Sequence, residues 1–334
     1  MRHRITLIPG DGIGPEVTNA ARKLLEATGV EIEWEEMEAG ASALEKFGNP
    51  LPDEVLESIR RNKVALKGPV TTPVGKGFSS VNVSLRKQLN LFANVRPINS
   101  KYGLSNKYTN VDMVIVRENT EDVYAGLEQD IAPGVAQTLK IITRTASERI
   151  ARFAFEYANK NSCHLVHAVH KANIMKKSDG LFLQSCQNIA ANYSEVEFRE
   201  IIVDNCAMQM VMHPEQFQVL VLTNLYGDII SDLGAGLVGG LGLVPGANYG
   251  EDIAVFEAVH GSAPDIAGKN LANPLAIILS AELMMRYLGE EVAANHIKHA
   301  VITVLSERTH LTRDLGGDST TDEITDALIR EVIH

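Results

Sequence analysis

A short buried strand that leads directly into a helix limits the folds open to this chain. The apolar run 217–222 is bounded by polar residues, which is typical of a buried strand. Gly227 interrupts the pattern, and helical periodicity follows from Ile229. Asp228 and Asp232 are four residues apart, so on that helix they point the same way, one turn apart. Strands alternate with helices along the whole chain, which predicts an α/β architecture.

Two carboxylates on one helix face repel each other unless a positive group lies between them. A divalent cation such as Mg²⁺ or Mn²⁺ is one candidate, because these ions prefer oxygen ligands. The alternative is that Asp228 caps the helix and Asp232 faces water, since aspartate is common at helix starts. Asp204 begins another predicted helix and is either its N-cap or a third carboxylate for the metal.

The composition excludes several classes of function. With 334 residues, the chain exceeds one typical domain. A net charge of −11 argues against nucleic-acid or anionic-membrane partners, and no apolar run reaches the length of a membrane span. The three cysteines fit neither a metal site nor a disulfide framework. These features, with a strand pattern close after Met1 instead of a signal peptide, predict a cytoplasmic protein.

The first strand, 5–8, is followed by a glycine-rich turn at 10–14. The order of strand, glycine turn and helix is compatible with a dinucleotide-binding fold, but the glycine spacing does not match the G-x-G-x-x-G fingerprint. The turn predicts only that backbone lies close to a ligand. No change in composition separates two domains, which suggests a second lobe inserted within the first.

Three arginines, Arg86, Arg96 and Arg117, lie in or beside apolar stretches. A buried arginine is costly unless it is paired, usually with a protein carboxylate. In an acidic protein, three of them favour a clamp that binds a polycarboxylate through paired hydrogen bonds. Ser80 and Asn82 begin the helix that carries Arg86, so they either hold another carboxylate or form an ordinary helix cap.

Two further side chains are candidates for proton transfer. Lys171 ends a predicted strand, and a lysine desolvated beside acids can carry a proton. Tyr124 follows the segment 117–121, and by itself it is also compatible with a half-buried packing residue.

Taken together, five segments resemble the β-decarboxylating dehydrogenases, the family of isocitrate, 3-isopropylmalate, homoisocitrate and tartrate dehydrogenases. The resemblance runs in order from Ile5 to about Asp322. The segments are Gly-Asp-Gly-Ile-Gly at 10–14, Arg-Glu-Asn-Thr-Glu at 117–121, His-Lys-Ala-Asn at 170–173, Asn-Leu-Tyr-Gly-Asp-Ile-Ile-Ser-Asp at 224–232 and His-Gly-Ser-Ala-Pro-Asp at 260–265.

The resemblance implies a two-lobed, non-Rossmann fold of the isocitrate/isopropylmalate dehydrogenase type. The large, cofactor-binding lobe would comprise 1–98 and 254–334. The small lobe, 99–253, would be inserted in it and carry the dimer interface with the metal and substrate groups. The family forms homodimers with shared active sites, in which Lys171 and Asp204 act across the interface.

The resemblance also implies a role for each matching residue. The expected reaction is NAD⁺-dependent oxidation and decarboxylation of isocitrate to 2-oxoglutarate and CO₂. Tyr124 and Lys171 would be catalytic, and Mg²⁺ or Mn²⁺ would bind Asp204, Asp228 and Asp232. The substrate would bind Ser80, Asn82, Arg86, Arg96, Arg117 and Asn173. NAD would bind Lys67, Val70, Thr72, Asn82, His260, Gly261, Ser262, Ala263, Asp265, Ile266 and Asn273.

Segment 79–87 favours isocitrate among the family's substrates, because isocitrate members bind the third carboxylate with the serine and asparagine found here. Isopropylmalate members place an apolar residue there, and an alkyl group against unpaired polar atoms would cost about 1–3 kcal/mol each. Homoisocitrate stays an alternative, since 205–209 and the compact length are shared with those enzymes. Relatives that use NADP have Lys and Tyr at 265 and 266, whereas Asp265 would repel a 2′-phosphate. A non-catalytic regulatory subunit is a further alternative, although both catalytic residues and the three aspartates are present.

Overall fold

The computed structural model describes residues 2–71, 80–102 and 108–333. Strands alternate with helices along most of the chain, so the predicted α/β class is confirmed. In chain order the elements are β1 (His3–Ile8), α1 (Gly14–Ala27), β2 (Ile32–Glu36), α2 (Ala41–Phe47), α3 (Asp53–Asn62), β3 (Val64–Lys67), α4 (Val81–Gln88), β4 (Ala93–Asn99), β5 (Asp112–Glu118), β6 (Glu128–Ala132), β7 (Val135–Thr138), α5 (Arg144–Lys160), β8 (Leu165–His170), α6 (Ser178–Ala190), β9 (Glu197–Ile202), α7 (Val203–Met212), β10 (Val219–Leu222), α8 (Asn224–Val238), β11 (Pro245–Tyr249), β12 (Ala254–Ala258), α9 (Leu275–Tyr287), α10 (Glu291–Glu307) and α11 (Thr321–Ile333).

The chain forms two compact units. The first unit comprises Met1–Leu91, Ser100–Thr109 and Val238–His334, and the second comprises Phe92–Asn99 and Asn110–Leu237. The lobes expected from the sequence, 1–98 with 254–334 and 99–253, differ from these units in where three segments belong: 92–98, 100–109 and 238–253. Their division into a cofactor lobe and a catalytic lobe stays a prediction.

The first unit is built on five strands in the order β2-β1-β3-β12-β11. The pairs are parallel except for β11 with β12. Helices α1, α9, α10 and α11 contribute to an apolar core with this sheet, and a second apolar cluster includes residues of α3 and α4. Burial explains why β3 and β12 have apolar runs without polar alternation.

The second unit is built on five strands in the order β4-β5-β10-β8-β9. Only β4 runs antiparallel, so β5, β10, β8 and β9 all end at the same edge of the sheet. The residues that follow these ends include Tyr124, Asp228, Lys171 and Asp204. Ligands of open α/β sheets bind at this edge, so the topology places the predicted catalytic groups where chemistry is expected.

Helix α8 begins at Asn224, five residues earlier than the pattern from Ile229 predicted. Asp228 therefore lies within the helix, and the interpretation that it is the N-cap is wrong. Within the described residues, no helix is both long and apolar enough to cross a membrane.

Candidate active site

Asp228 is the centre of the polar cluster in the second unit. Its Oδ1 accepts a short hydrogen bond from Arg117, and its Oδ2 accepts one from the Tyr124 hydroxyl at 2.6 Å. Burial opposes ionisation of Asp228, but the Arg117 charge and the Tyr124 hydrogen bond hold its pKa below the ordinary value. The pKa of Tyr124 is raised, first by burial and then by its bond to Asp228, so the phenol keeps its proton at neutral pH. The cluster thus pairs an ionised carboxylate with a protonated acid.

Arg96 supplies the positive charge that the two helical aspartates require. Its guanidinium lies 3.8 Å from Asp228 and 3.4 Å from Asp232, and it is further held by Ser231 at 2.6 Å and Asn94 at 2.9 Å. Repulsion between the carboxylates therefore does not by itself demand a metal.

Arg117 is almost fully buried, at 1% exposure, and its position depends on α8. Asn224 Oδ1 accepts from both Nε and Nη2, at 2.9 and 2.7 Å. A Cβ on Gly227 would lie 2.5 Å from Arg117 Cγ, so only glycine leaves room for this side chain. The sequence identified Arg117 but not its dependence on Asn224 and Gly227.

Lys171 and Asp204 form a second polar group at the ends of β8 and β9. Lys171 Nζ lies 2.5 Å from Asp204 Oδ1, and this bond lowers the pKa of Asp204. Asp204 is in the first turn of α7, where the N-cap position is occupied by Ile202 without a side-chain bond. The alternative that Asp204 caps this helix is therefore wrong. Asn173, predicted to bind substrate, is exposed.

The carboxylates fit a hard divalent cation in chemistry and spacing. Asp228 and Asp232 offer only oxygen donors and lie one turn apart on α8. Among the described residues of one chain, no group of three metal-ligating side chains occurs. Within the described residues, the candidate site of one chain therefore consists of Asp228 and Asp232.

In the first unit, Glu257 forms ion pairs with two of the predicted binding residues. Lys67 Nζ lies 2.7 Å from Glu257 Oε2, and Arg86 donates to Oε1 at 3.0 Å. Burial opposes ionisation, but the charges of Lys67 and Arg86 keep the pKa of Glu257 well below its ordinary value. Glu257 was missed from the sequence, although a charged residue inside the buried strand β12 was a usable signal.

Helix α4 presents polar groups suited to a ligand. Ser80 caps it as the sequence predicted, accepting from Val83 N at 3.5 Å. In the described part of the chain, Asn82 Oδ1 and Arg86 Nε are buried without a hydrogen-bond partner. Such orphaned groups cost stability unless a ligand satisfies them.

The loops after β1, β3 and β12 carry most of the predicted cofactor residues and are tied to one another. Asp11 accepts hydrogen bonds from the amides of Ala41 and Thr71 at 2.9 and 2.7 Å. Thr71 Oγ1 lies 2.8 Å from Ser262 Oγ, and Ile13 N donates to Ser262 O at 2.9 Å. The sequence indicated this turn as a close backbone approach but did not show that Asp11 joins the loops.

Among the predicted cofactor residues, His260 has a ring nitrogen that is available to accept a hydrogen bond. Nδ1 bonds to the Gly261 carbonyl at 3.0 Å, so Nε2 is left as an acceptor. Burial lowers the pKa of His260, and within the described residues Nε2 is buried without a partner. A neutral imidazole acceptor suits the amino group of a purine.

The other predicted cofactor residues have varied surroundings. Asp265 is exposed, and Asn273 donates to Asp314 at 2.9 Å. Ala263 and Ile266 pack partly against the core, while Val70 and Lys67 are buried. Thr72 lies outside the described residues.

A family model described as isocitrate/isopropylmalate dehydrogenase matches residues 4–328. The chain belongs to this family. Among solved structures, isocitrate dehydrogenase from Methylococcus capsulatus is 52% identical, with a TM-score of 0.96 over 99% of this chain and 100% of that one. This similarity confirms the predicted type of fold.

Members of the isocitrate/isopropylmalate dehydrogenase family that are named as different enzymes are almost equally identical to this chain. The NAD isocitrate dehydrogenase catalytic subunit 5 of Arabidopsis thaliana, described as mitochondrial, is 54% identical over 97% of this chain and 87% of its own length. The chloroplastic 3-isopropylmalate dehydrogenase of Solanum tuberosum is 53% identical over 91% and 85%. The percentage of sequence identity therefore does not distinguish isocitrate from 3-isopropylmalate as the substrate.

The prediction of a cytoplasmic protein is contradicted by relatives that are described as mitochondrial. It rested partly on free cysteines, which the described structure has at Cys163, Cys186 and Cys206. Reduced cysteines report a reducing environment and not one particular compartment.

Proposed function

We propose that this chain is an NAD⁺-dependent isocitrate dehydrogenase that forms 2-oxoglutarate and CO₂. The observation that carries the proposal is the cluster on Asp228, where a protonated phenol and two arginines meet one carboxylate. Oxidative decarboxylation needs these groups: an acid to protonate carbon, and cations to bind the carboxylates of the substrate.

Two bound groups would supply chemistry that side chains lack. Mg²⁺ or Mn²⁺ on Asp228 and Asp232, with Asp204 of the partner subunit, would polarise the substrate hydroxyl, and NAD⁺ would accept the hydride. Every other role falls to residues of the chain. Lys171 takes the hydroxyl proton, directly or through water, and its bond to Asp204 shows that it is oriented by an acid.

Tyr124 returns a proton to carbon after CO₂ leaves. Its raised pKa keeps it protonated, and the Arg117 guanidinium lies 5.2 Å from the ring centroid, where it stabilises negative charge on the phenolate. Arg96 and Arg117 exchange part of their bonding to Asp228 for substrate carboxylates. In the first unit, the Nε of Arg86 has no partner among the described residues and is available to a carboxylate.

Ser80 and Asn82 favour a substrate that carries a third carboxylate. This carboxylate is the group by which isocitrate differs from 3-isopropylmalate. The buried Asn82 amide needs a polar partner, which isocitrate supplies and an isopropyl group does not. Homoisocitrate has the same carboxylates and differs by one methylene, so it is the nearest competitor.

A homodimer is supported by apolar side chains exposed on the second unit. Ile131 and Val135 lie in the β6–β7 hairpin, Met212 is on α7 and Ile229 is on α8, each more than 40% exposed. Exposed large apolar side chains such as these are candidates for burial in an interface. Assembly with a second copy would also supply the partner's Asp204 to the proposed metal site.

The substrate assignment is tested by steady-state kinetics on isocitrate, homoisocitrate and 3-isopropylmalate, each with NAD⁺ and NADP⁺. We expect kcat/KM to be highest for isocitrate with NAD⁺, and chelation of divalent metal to abolish turnover. Higher kcat/KM for homoisocitrate would reassign the chain to that substrate. A purified dimer inactive on all three acids with both coenzymes and metal would refute the proposed activity.

Coenzyme choice is tested at Asp265. In Asp265→Asn, the carboxylate that accepts from the ribose hydroxyls and repels a 2′-phosphate is neutralised without loss of shape. We expect the preference of kcat/KM for NAD⁺ over NADP⁺ to fall about 10-fold or more, since one charge-assisted hydrogen bond is worth roughly 1.5–3 kcal/mol. Asp322→Asn, at an exposed aspartate of the same unit, is the matched control. An unchanged preference in Asp265→Asn would place coenzyme selection elsewhere.

A further inference from the structure

Two fully buried carboxylates of the second unit share one ammonium. Lys140 Nζ lies 2.8 Å from Asp179 Oδ1 and 3.9 Å from Asp122 Oδ2. It also lies over the ring of Tyr226, 4.2 Å from the centroid. Neither aspartate is exposed at all, and Lys140 only slightly. Burying two carboxylates against a single cation costs desolvation free energy, so we expect this arrangement to have a role in the protein.

Asp179 holds the backbone at Lys171. Its Oδ2 accepts the Lys171 amide at 2.6 Å, while its Oδ1 faces Lys140. Lys171 follows the last residue of β8, where the chain leaves the sheet. The direction of the Lys171 side chain therefore depends on Asp179, and the contact with the Lys140 ammonium holds the Asp179 carboxylate in place.

Asp122 holds the turn that carries Tyr124. It adopts a φ of 74°, which is strained for a residue other than glycine, and caps the short 3₁₀ turn Val123–Ala125 through Val123 N at 2.8 Å. Its Oδ2 accepts Leu225 N, at the start of α8, at 3.0 Å. Its own amide donates to the Ile141 carbonyl at 2.9 Å, beside Lys140.

We propose that Lys140 is a positioning residue that joins the carboxylates of Asp122 and Asp179. Through these two aspartates it fixes the positions of Tyr124 and Lys171. The inference rests on the proposed function for the roles of those two residues. Without the ammonium, the two buried carboxylates lose their shared counter-charge and are no longer held in position. The turns that they hold are then released, and misplacement of a reacting group by about 1 Å can cost roughly 100-fold in rate.

The test compares Lys140→Met and Lys140→Arg by kinetics and by hydrogen exchange. For Lys140→Met we expect kcat to fall about 10–100-fold while KM for isocitrate stays within about 3-fold, because binding groups such as Arg96 are not held by this network. Lys140→Arg retains the charge and should recover part of the loss. Lys23→Met, which removes an exposed lysine paired with Asp322 at 3.2 Å, is the control and should leave kcat unchanged.

Hydrogen exchange gives a readout that does not depend on activity. In Lys140→Met, peptides covering 122–125 and 171–175 should exchange faster, whereas peptides from the core of α5 should not. This pattern would support the positioning role even if the wild type proved inactive on all three hydroxy acids, a result that would refute the proposed function alone. Unchanged exchange in both peptides, or a fall in kcat matched by an equal loss of titratable active sites, would overturn the inference.

Discussion

Replacing Lys171 by methionine is expected to lower kcat by about 10²–10⁴-fold, the usual contribution of a positioned acid or base. Methionine fills a similar volume but cannot accept the hydroxyl proton, and it leaves Asp204 without its partner at 2.5 Å. Because Asp204 is exposed, the fold should tolerate the change, and the loss should appear in kcat more than in thermal stability. Steady-state kinetics with isocitrate, NAD⁺ and Mg²⁺ measures it.

Lys176→Met is the matched control for Lys171, since Lys176 is an exposed lysine in the same connection and should be dispensable. Mixing the Lys171→Met variant with Tyr124→Phe then tests whether active sites are shared. If Lys171 acts in the partner's site, mixed dimers contain one intact site, and full exchange should restore roughly a quarter of wild-type activity. If both residues serve the same chain's site, no activity returns. Full activity of Lys171→Met alone would exclude it as the base.

The α/β class was predictable because its signals are local, and the same kind of signal marked the polar residues that the structure brings to one sheet edge. Tyr124, Lys171 and Asp228 each follow the end of a buried strand within a recognisable motif, and strand direction then brings them to one edge. The start of α8 was missed because Gly227 is a poor helix former. Its presence within the helix is explained by Arg117, whose side chain takes the space of a Cβ.

What the sequence did not show are pairings between distant segments. Arg86 and Glu257 are 171 residues apart, so no local pattern connects them. Asp228 and Asp232 illustrate a different limit: their spacing predicted a positive group, but it could not distinguish a metal from Arg96. The geometry shows that an arginine already occupies that role, and metal binding remains a proposal on the same carboxylates.

Replacing Glu257 by glutamine is expected to destabilise the fold strongly, because Glu257 pairs with both Lys67 and Arg86. The amide keeps the shape and can still accept from Asn248, now at 2.8 Å, but it leaves the buried cations Lys67 and Arg86 without a counter-charge. Breaking a buried pair in this way costs about 3–5 kcal/mol. Urea unfolding near neutral pH measures the loss. Glu33→Gln, at an exposed carboxylate 3.1 Å from Arg2, should cost less than about 1 kcal/mol.

The pH dependence separates loss of charge at Glu257 from simple loss of packing. The pKa of Glu257 is depressed in the folded state, so its stabilisation is present above the ordinary value of 4.5 and is lost as the pH falls through the folded-state pKa. The difference in unfolding free energy between wild type and Glu257→Gln should therefore be constant at neutral pH and shrink as the pH falls below about 4.5. A difference that stays constant throughout the acid range would show that packing, and not the charge on Glu257, holds Lys67 and Arg86.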